Sequence, residues 1–171
     1  TGVSAKAITK AKLSDLSAAG TITFEVKGKN SSFVTVSTTL SSRTDLTSMA
    51  AAFNTFSSQT GITAEVSSDK TYVVLTSEEG YDIQLQNYTN NSDGTISVRG
   101  LAGNGGAITP ADTAITLASS ATADSARIVG DILFSSSKEF TLKDSSATAF
   151  VGTSAVPSSL NSMSTVDIST Q

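Results

Sequence analysis

The chain reads as an α+β fold, mostly β: antiparallel hairpins packed against one short amphipathic helix, followed by a further β-rich, loop-heavy segment. Three observations predict this. Several short runs within residues 21–98 alternate apolar and polar side chains with period 2. One run, Thr44 to Ser57, spaces its apolar residues for a helix instead. Beyond residue 100 the apolar runs are short and scattered, and Gly, Ser and Thr fill the gaps.

Lys6, Ile8, Lys10 and Lys12 argue weakly for a strand within Ala5 to Ala19, whereas Leu13 and Leu16 also allow a helical turn, so both readings stay open. Ile22, Phe24 and Val26 share one face of the next run, with Thr and charge on the other. Gly28-Lys29-Asn30 is a turn signal, and Phe33 to Ser37 is rich in β-branched and aromatic residues. A short turn between two such runs predicts an antiparallel hairpin. Leu46, Met49, Ala50, Phe53, Phe56 and Ser57 then form one helical stripe, expected to pack on the apolar face of the sheet. Thr44 or Asp45 can accept hydrogen bonds from the first free amides, and Gly61 suits a left-handed end.

Ile62 to Val66 and Thr71 to Thr76 follow as strands separated by a Ser-Ser-Asp-Lys turn. After Glu78-Glu79-Gly80, Tyr81, Ile83 and Leu85 lie on one face of a further strand. Asn90 to Gly94 is a turn whose Asp-Gly pair fits a tight hairpin into Ile96 and Val98. Gly100 to Pro110 is a loop or boundary. Ile115 and Leu117 suggest a short strand, Asp124 to Phe134 a short helix or strand, and Phe140 to Lys143 a strand-like stretch. The expected division is a connecting segment at 1–20, a β-β-α-β-β module with an extra strand at 21–99, and a second β-rich lobe and return segment at 100–171.

Composition removes many functions. The chain has 171 residues, no Cys and no His, so thiolate chemistry, Cys-ligated metals, Ser-His triads and most zinc sites are excluded. Eleven basic residues face fifteen acidic ones, without a basic run, so nucleic acid is not an expected partner. No apolar stretch is long enough to span a membrane, and no leader pattern opens the chain at Thr1. Ser and Thr together number 55, which predicts a surface covered by hydroxyls more than by charge.

The residual constellations are weak. Asn90, Ser92, Asp93 and Thr95 mimic part of a calcium loop but lack its order and its bidentate Glu. Glu78, Glu79 and Asp82 cluster, yet read as a solvated hairpin end. Gly103 to Gly106 has no Lys-[Ser/Thr] partner for phosphate. Ser135 to Lys138 spells S-x-x-K without companion elements, and N-x-[ST] triplets occur at Asn30, Asn87 and Asn90. Catalytic, cofactor-binding and metal residues are therefore expected to be none. An adhesin or carbohydrate-binding domain would need an exposed aromatic platform, for which Tyr88 beside Asn87 and Asn90 is the candidate. An enzyme working with carboxylates alone would need a concave pocket with paired Asp or Glu.

Three stretches carry a family resemblance. Asp45-Leu46-Thr47-Ser48-Met49-Ala50-Ala51-Ala52-Phe53-Asn54, then Thr60-Gly61-Ile62-Thr63-Ala64-Glu65-Val66 and Leu75-Thr76-Ser77, resemble the β-β-α-β-β insertion of bacterial flagellins and hook-associated proteins. Thr1-Gly2-Val3-Ser4-Ala5 is similar to the segment that follows the N-terminal helices of flagellin, and Met163 to Thr170 to the one that re-enters its C-terminal helices. The resemblance implies a central, surface-exposed region of flagellin, outside the cell on the flagellar filament, serving motility as a structural part. It implies neighbouring flagellin subunits as partners and a monomeric state for the chain alone. It allows O-glycosylation of the hydroxyl-rich surface. A hook-associated junction protein is the close alternative, and the surface adhesin the more distant one.

Overall fold

In the computed structural model the described residues are 2–103, 114–119, 123–139, 141–142 and 156–157. They comprise β1 (Val3–Ser14), β2 (Gly20–Lys27), β3 (Val34–Leu40), α1 (Thr47–Thr55), α2 (Ser57–Thr60), β4 (Thr63–Val66), β5 (Val73–Ser77), β6 (Ile83–Asn90), β7 (Ile96–Leu101), β8 (Ile115–Leu117), β9 (Ala126–Ile128), β10 (Asp131–Ser136), β11 (Thr141–Leu142) and β12 (Val156–Pro157). The α+β, mostly β reading holds.

Two compact units divide the chain. One covers Lys6–Leu133, and the other joins Thr1–Ala5 with Phe134–Gln171. In the second, Ser4 and Ser135 are linked through their hydroxyls at 2.7 Å, and β11 pairs antiparallel with β12. The first unit holds the hydrophobic core.

That core lies between two antiparallel sheets. One runs β4-β5-β1-β7-β8, with β10 also pairing with β1, and the other runs β3-β2-β6-β9. Residues 6–14, open between strand and turn in the sequence, belong to a central strand that pairs with β5 on one side and β7 on the other. Thr9, Ala11 and Leu13 point inward and are fully buried, so the period-2 reading wins over the helical turn.

The β2–β3 hairpin forms as expected, in register from Gly20↔Leu40 to Val26↔Val34. Helix α1 buries Met49, Ala50 and Phe53, while Leu46 just before it is also fully buried. Instead of lying on one sheet, α1 contacts β3 of one sheet and β4 and β5 of the other. The expected single helix breaks at Phe56 into α1 and α2. Leu46 occupies the cap position without a side-chain cap bond; one residue earlier, Asp45 Oδ1 accepts from the Thr47 amide at 3.1 Å. Gly61 ends the helical segment at φ 69°, the left-handed region where a Cβ is disfavoured.

Asn54 ties the helix to an edge strand. Its Nδ2 donates to the Ala64 carbonyl and its Oδ1 accepts from the Ala64 amide, both at 2.8 Å. The side-chain amide thus acts as one more backbone pair for β4. Asn54→Ala removes both bonds at a partly water-accessible site and is expected to destabilise by about 1–2 kcal/mol. Hydrogen exchange at the Ala64 amide, compared between the two forms, checks this; unchanged protection contradicts it.

Two sequence readings are corrected after β6. Asp93-Gly94 does not close a hairpin, because β6 and β7 lie in different sheets. The chain crosses between layers, with Asp93 at φ 54°. Tyr88 is 1% exposed and no surface platform. The cause of the second is a β-bulge: between Thr23↔Thr89 and Glu25↔Gln86, Phe24 faces both Asn87 and Tyr88. Asn87, at φ 51°, inverts the alternation, so Ile83 and Leu85 are followed inward by Tyr88 and Asn90. The Tyr88 hydroxyl donates to the Gly94 carbonyl at 2.9 Å. Tyr81 precedes the strand and is 46% exposed.

The 124–134 stretch, left between helix and strand, forms β9 and the start of β10 around Gly130. Residues 104–110, Phe140, Lys143 and nearly all of 145–159 lie outside the described residues.

Thr9 and Ser77 face each other across β1 and β5, both fully buried, and neither hydroxyl has a hydrogen-bond partner among the described residues. Replacing both groups by apolar ones removes two desolvation penalties at once. The pair Thr9→Val with Ser77→Ala is expected to leave stability unchanged or to raise it by about 1 kcal/mol. Urea unfolding measures this, and a clear loss contradicts it.

Candidate functional site

The constellations that lie within the described residues are resolved into separate local bonds, whereas Gly103–Gly106 runs beyond those residues. Glu78 pairs with Lys6, and the Asp82 carboxylate accepts from Arg127 Nε at 2.8 Å, so the Glu78-Glu79-Asp82 cluster does not converge on one point. The calcium-like turn is likewise spent on backbone. Asn90 Oδ1 accepts from the Ser92 amide at 2.9 Å, its Nδ2 donates to the Ala18 carbonyl at 3.0 Å, and Asn91 Oδ1 accepts from the Thr21 amide. Among the described residues no group of three acidic side chains is arranged to hold a metal ion.

The other motifs are absorbed by turns and by bonds between strands. Ser136 Oγ accepts from the Lys138 amide at 3.1 Å, while Ser135 bonds Ser4. Asn30 Oδ1 accepts from the Gly28 amide, and Asn87 Nδ2 donates to Glu25 at 2.8 Å. Of two open clefts of about 250 and 280 Å³, the first carries one charged group, Arg127, and the second carries Lys12, Asp15 and Arg43. Neither brings two carboxylates together as acid and base.

Three exposed acids are held below their ordinary values by hydrogen bonds and ion pairs. The Thr47 hydroxyl and amide hold the Asp45 carboxyl low, with help from Lys70 at 3.3 Å. The Ser67 hydroxyl does this for Asp69, and the Lys6 ammonium for Glu78. Folded values depressed below about 3.8 for Asp and 4.5 for Glu give stability that is fully present above those values. It is lost as pH falls through the folded values. The chain has no His, so unfolding free energy should be flat from about pH 8 to pH 5.5 and decline below about pH 4.5. Urea titrations at stepped pH test this, and a midpoint moving between pH 6 and 7 contradicts it.

What the fold does build is surface. On the outer face of β2 and β3, Thr21 and Thr39 share a hydroxyl hydrogen bond at 2.9 Å, and Thr23 and Ser37 one at 3.0 Å. Beside them Gln86 and Asn87 both donate to Glu25 Oε2 at 2.8 Å. The alternation visible in the sequence put Thr and charge on this face; the bulge that adds Asn87 to it left no sequence signal. Cross-strand Thr pairs of this kind stabilise a sheet by a few tenths of a kcal/mol while keeping its outer face hydrated. Among the described residues no helix is long and apolar enough to cross a membrane.

Comparison with protein families matches residues 21–79 to the model described as the flagellin hook IN motif. The match begins in β2 and ends just after β5, so it spans the hairpin, the helices and the second hairpin. Comparison with curated proteins gives no match. Residues 21–79 carry the flagellin-type β-β-α-β-β module, which supports a structural role in an extracellular outer domain of the bacterial flagellar filament.

Proposed function

We propose that the sandwich projects from the filament surface and lies beside the same region of neighbouring flagellin subunits, residues 21–99 acting as the protruding module. Residues 1–20 lead into it while giving the sandwich its central strand β1, and residues 100–171 return from it while giving the sandwich β8 and β9. The observation that carries this reading is the family match, which covers an element order folded into one sandwich. A hydroxyl-rich outer face suits it, since a hydrated polar surface without a large apolar patch does not drive association between crowded copies.

The test uses the full-length protein and its native filaments. Antibodies raised against residues 6–133 should decorate intact filaments along their length. Deleting that segment should leave filaments that still assemble but are thinner by electron microscopy. Filaments that are not labelled, or label confined to the hook–filament junction, overturn the proposal.

A further inference from the structure

The outer face of the sheet containing β1 departs from the hydroxyl-rich pattern of the other sheet. Register places Glu65, Val74, Lys12 and Arg99 in one row across β4, β5, β1 and β7. The next row on the same face is Thr63, Thr76, Lys10 and Leu101. Lys12 and Arg99 are direct cross-strand neighbours of like charge, an arrangement that weakens a sheet unless something else uses it. Neither makes an ion pair among the described residues. Lys12 rests over the Tyr72 ring at 4.0 Å, and Asp15 lines the same shallow recess as Lys12 and Arg99. Lys10 feels the field of Glu78, and Arg43 stands beside Lys12 across a cleft. Glu65 and Arg99 are exposed, while Val74, Thr76, Lys10 and Lys12 are half-buried.

With strands about 4.8 Å apart, Glu65 sits roughly 10 Å from Lys12 along its row, one apolar residue between them. The row therefore reads acid, apolar, base, base. We propose that this face binds a second copy of the chain through a two-fold axis running along β5. Rotation about that axis sets Val74 on Val74 and Thr76 on Thr76. It brings Glu65 of each copy onto Lys12 of the other, with Arg99 just outside. Every contact then occurs twice, as an isologous interface requires. The face supplies the charge complementarity to itself, which an acidic or basic foreign partner would satisfy only by half.

The contact is small, so the isolated chain stays monomeric when dilute and dimerises with a dissociation constant on the order of 0.1–1 mM at low salt. Tethering on a polymer would raise its occupancy through effective concentration. The inference does not depend on the filament reading, because the contact concerns this face alone.

Sedimentation equilibrium of the purified chain tests it. Self-association should saturate at a dimer and weaken with added salt. Lys12→Glu or Glu65→Lys alone should weaken it about tenfold, since symmetry makes each change count twice. The exchange of both, Lys12→Glu with Glu65→Lys, should restore it to within about threefold. Circular dichroism of every variant confirms folding, and Val74→Asp should abolish the dimer in a folded chain. Three results overturn the proposal: no association at the highest soluble concentration, open-ended oligomers in place of a dimer, or a double exchange that behaves no better than either single change. Binding of this face to heparin without self-association also overturns it.

Discussion

Phe24→Ala lowers the stability of the chain by about 3–5 kcal/mol, the range for removing a large aromatic side chain from a close-packed core. Phe24 is 1% exposed at the centre of β2. Its ring lies 5.6 Å from that of Phe53 on α1 and 5.1 Å from that of Tyr88 on β6. The one residue thus joins helix, hairpin and bulge, and the remaining walls belong to separate elements that cannot close together. Phe24→Leu keeps most of the volume and should cost about 1–1.5 kcal/mol. Urea unfolding at neutral pH separates the two. The double change with Phe53→Ala should cost less than the sum of the singles, because the rings share one contact. A loss under 2 kcal/mol for Phe24→Ala would mean that the aromatic triad is not the centre of the core.

The local pattern of this fold was legible because each element carries its own period. Ile22, Phe24 and Val26 announce a strand face, and Leu46, Met49 and Phe53 a helical stripe, without reference to any partner. All six are buried. Pairing was not legible in the same way. The chain places β2–β3 in one sheet and β4–β5 in the other, with α1 between, and alternation is identical whichever sheet a strand joins. The central place of β1 was hidden for that reason: its neighbours β5 and β7 are encoded some 60 to 90 residues away.

A bulge defeats periodicity more thoroughly. Counting by twos from Ile83 through Leu85 predicts Asn87 inside and Tyr88 outside. One extra residue at Asn87 reverses this and turns a candidate sugar platform into a core tyrosine. The physical trace of the reversal is the Glu25 carboxylate, which accepts from both Gln86 and Asn87, consecutive residues that a regular strand would send to opposite faces. The proposed surface was illegible for a related cause. Lys12 and Arg99 look like scattered charges until register makes them neighbours.

The turn that resembles a calcium loop gives the sharpest contrast between chemistry and architecture. Asn90→Asp should cost about 2–4 kcal/mol at pH 7, whereas a cation-binding loop would be improved by it. Asn90 is 3% exposed. Its amide donates to the Ala18 carbonyl at 3.0 Å, which a carboxylate cannot do, and the substitution would set negative charge against that carbonyl's oxygen. Its oxygen, already accepting from the Ser92 amide, is the part Asp preserves. Burial raises the carboxyl of the variant above the value it has in the unfolded chain. The penalty is therefore full at neutral pH, where the unfolded carboxyl is ionised, and shrinks as pH falls toward the unfolded value and the folded group keeps its proton. A protonated Asp can also donate to the Ala18 carbonyl. The difference between variant and parent should accordingly narrow between pH 7 and pH 5, and millimolar calcium should not raise the melting temperature of either. Stabilisation of the variant by calcium, or a gap that widens on acidification, would return the 90–95 turn to the cation-binding class.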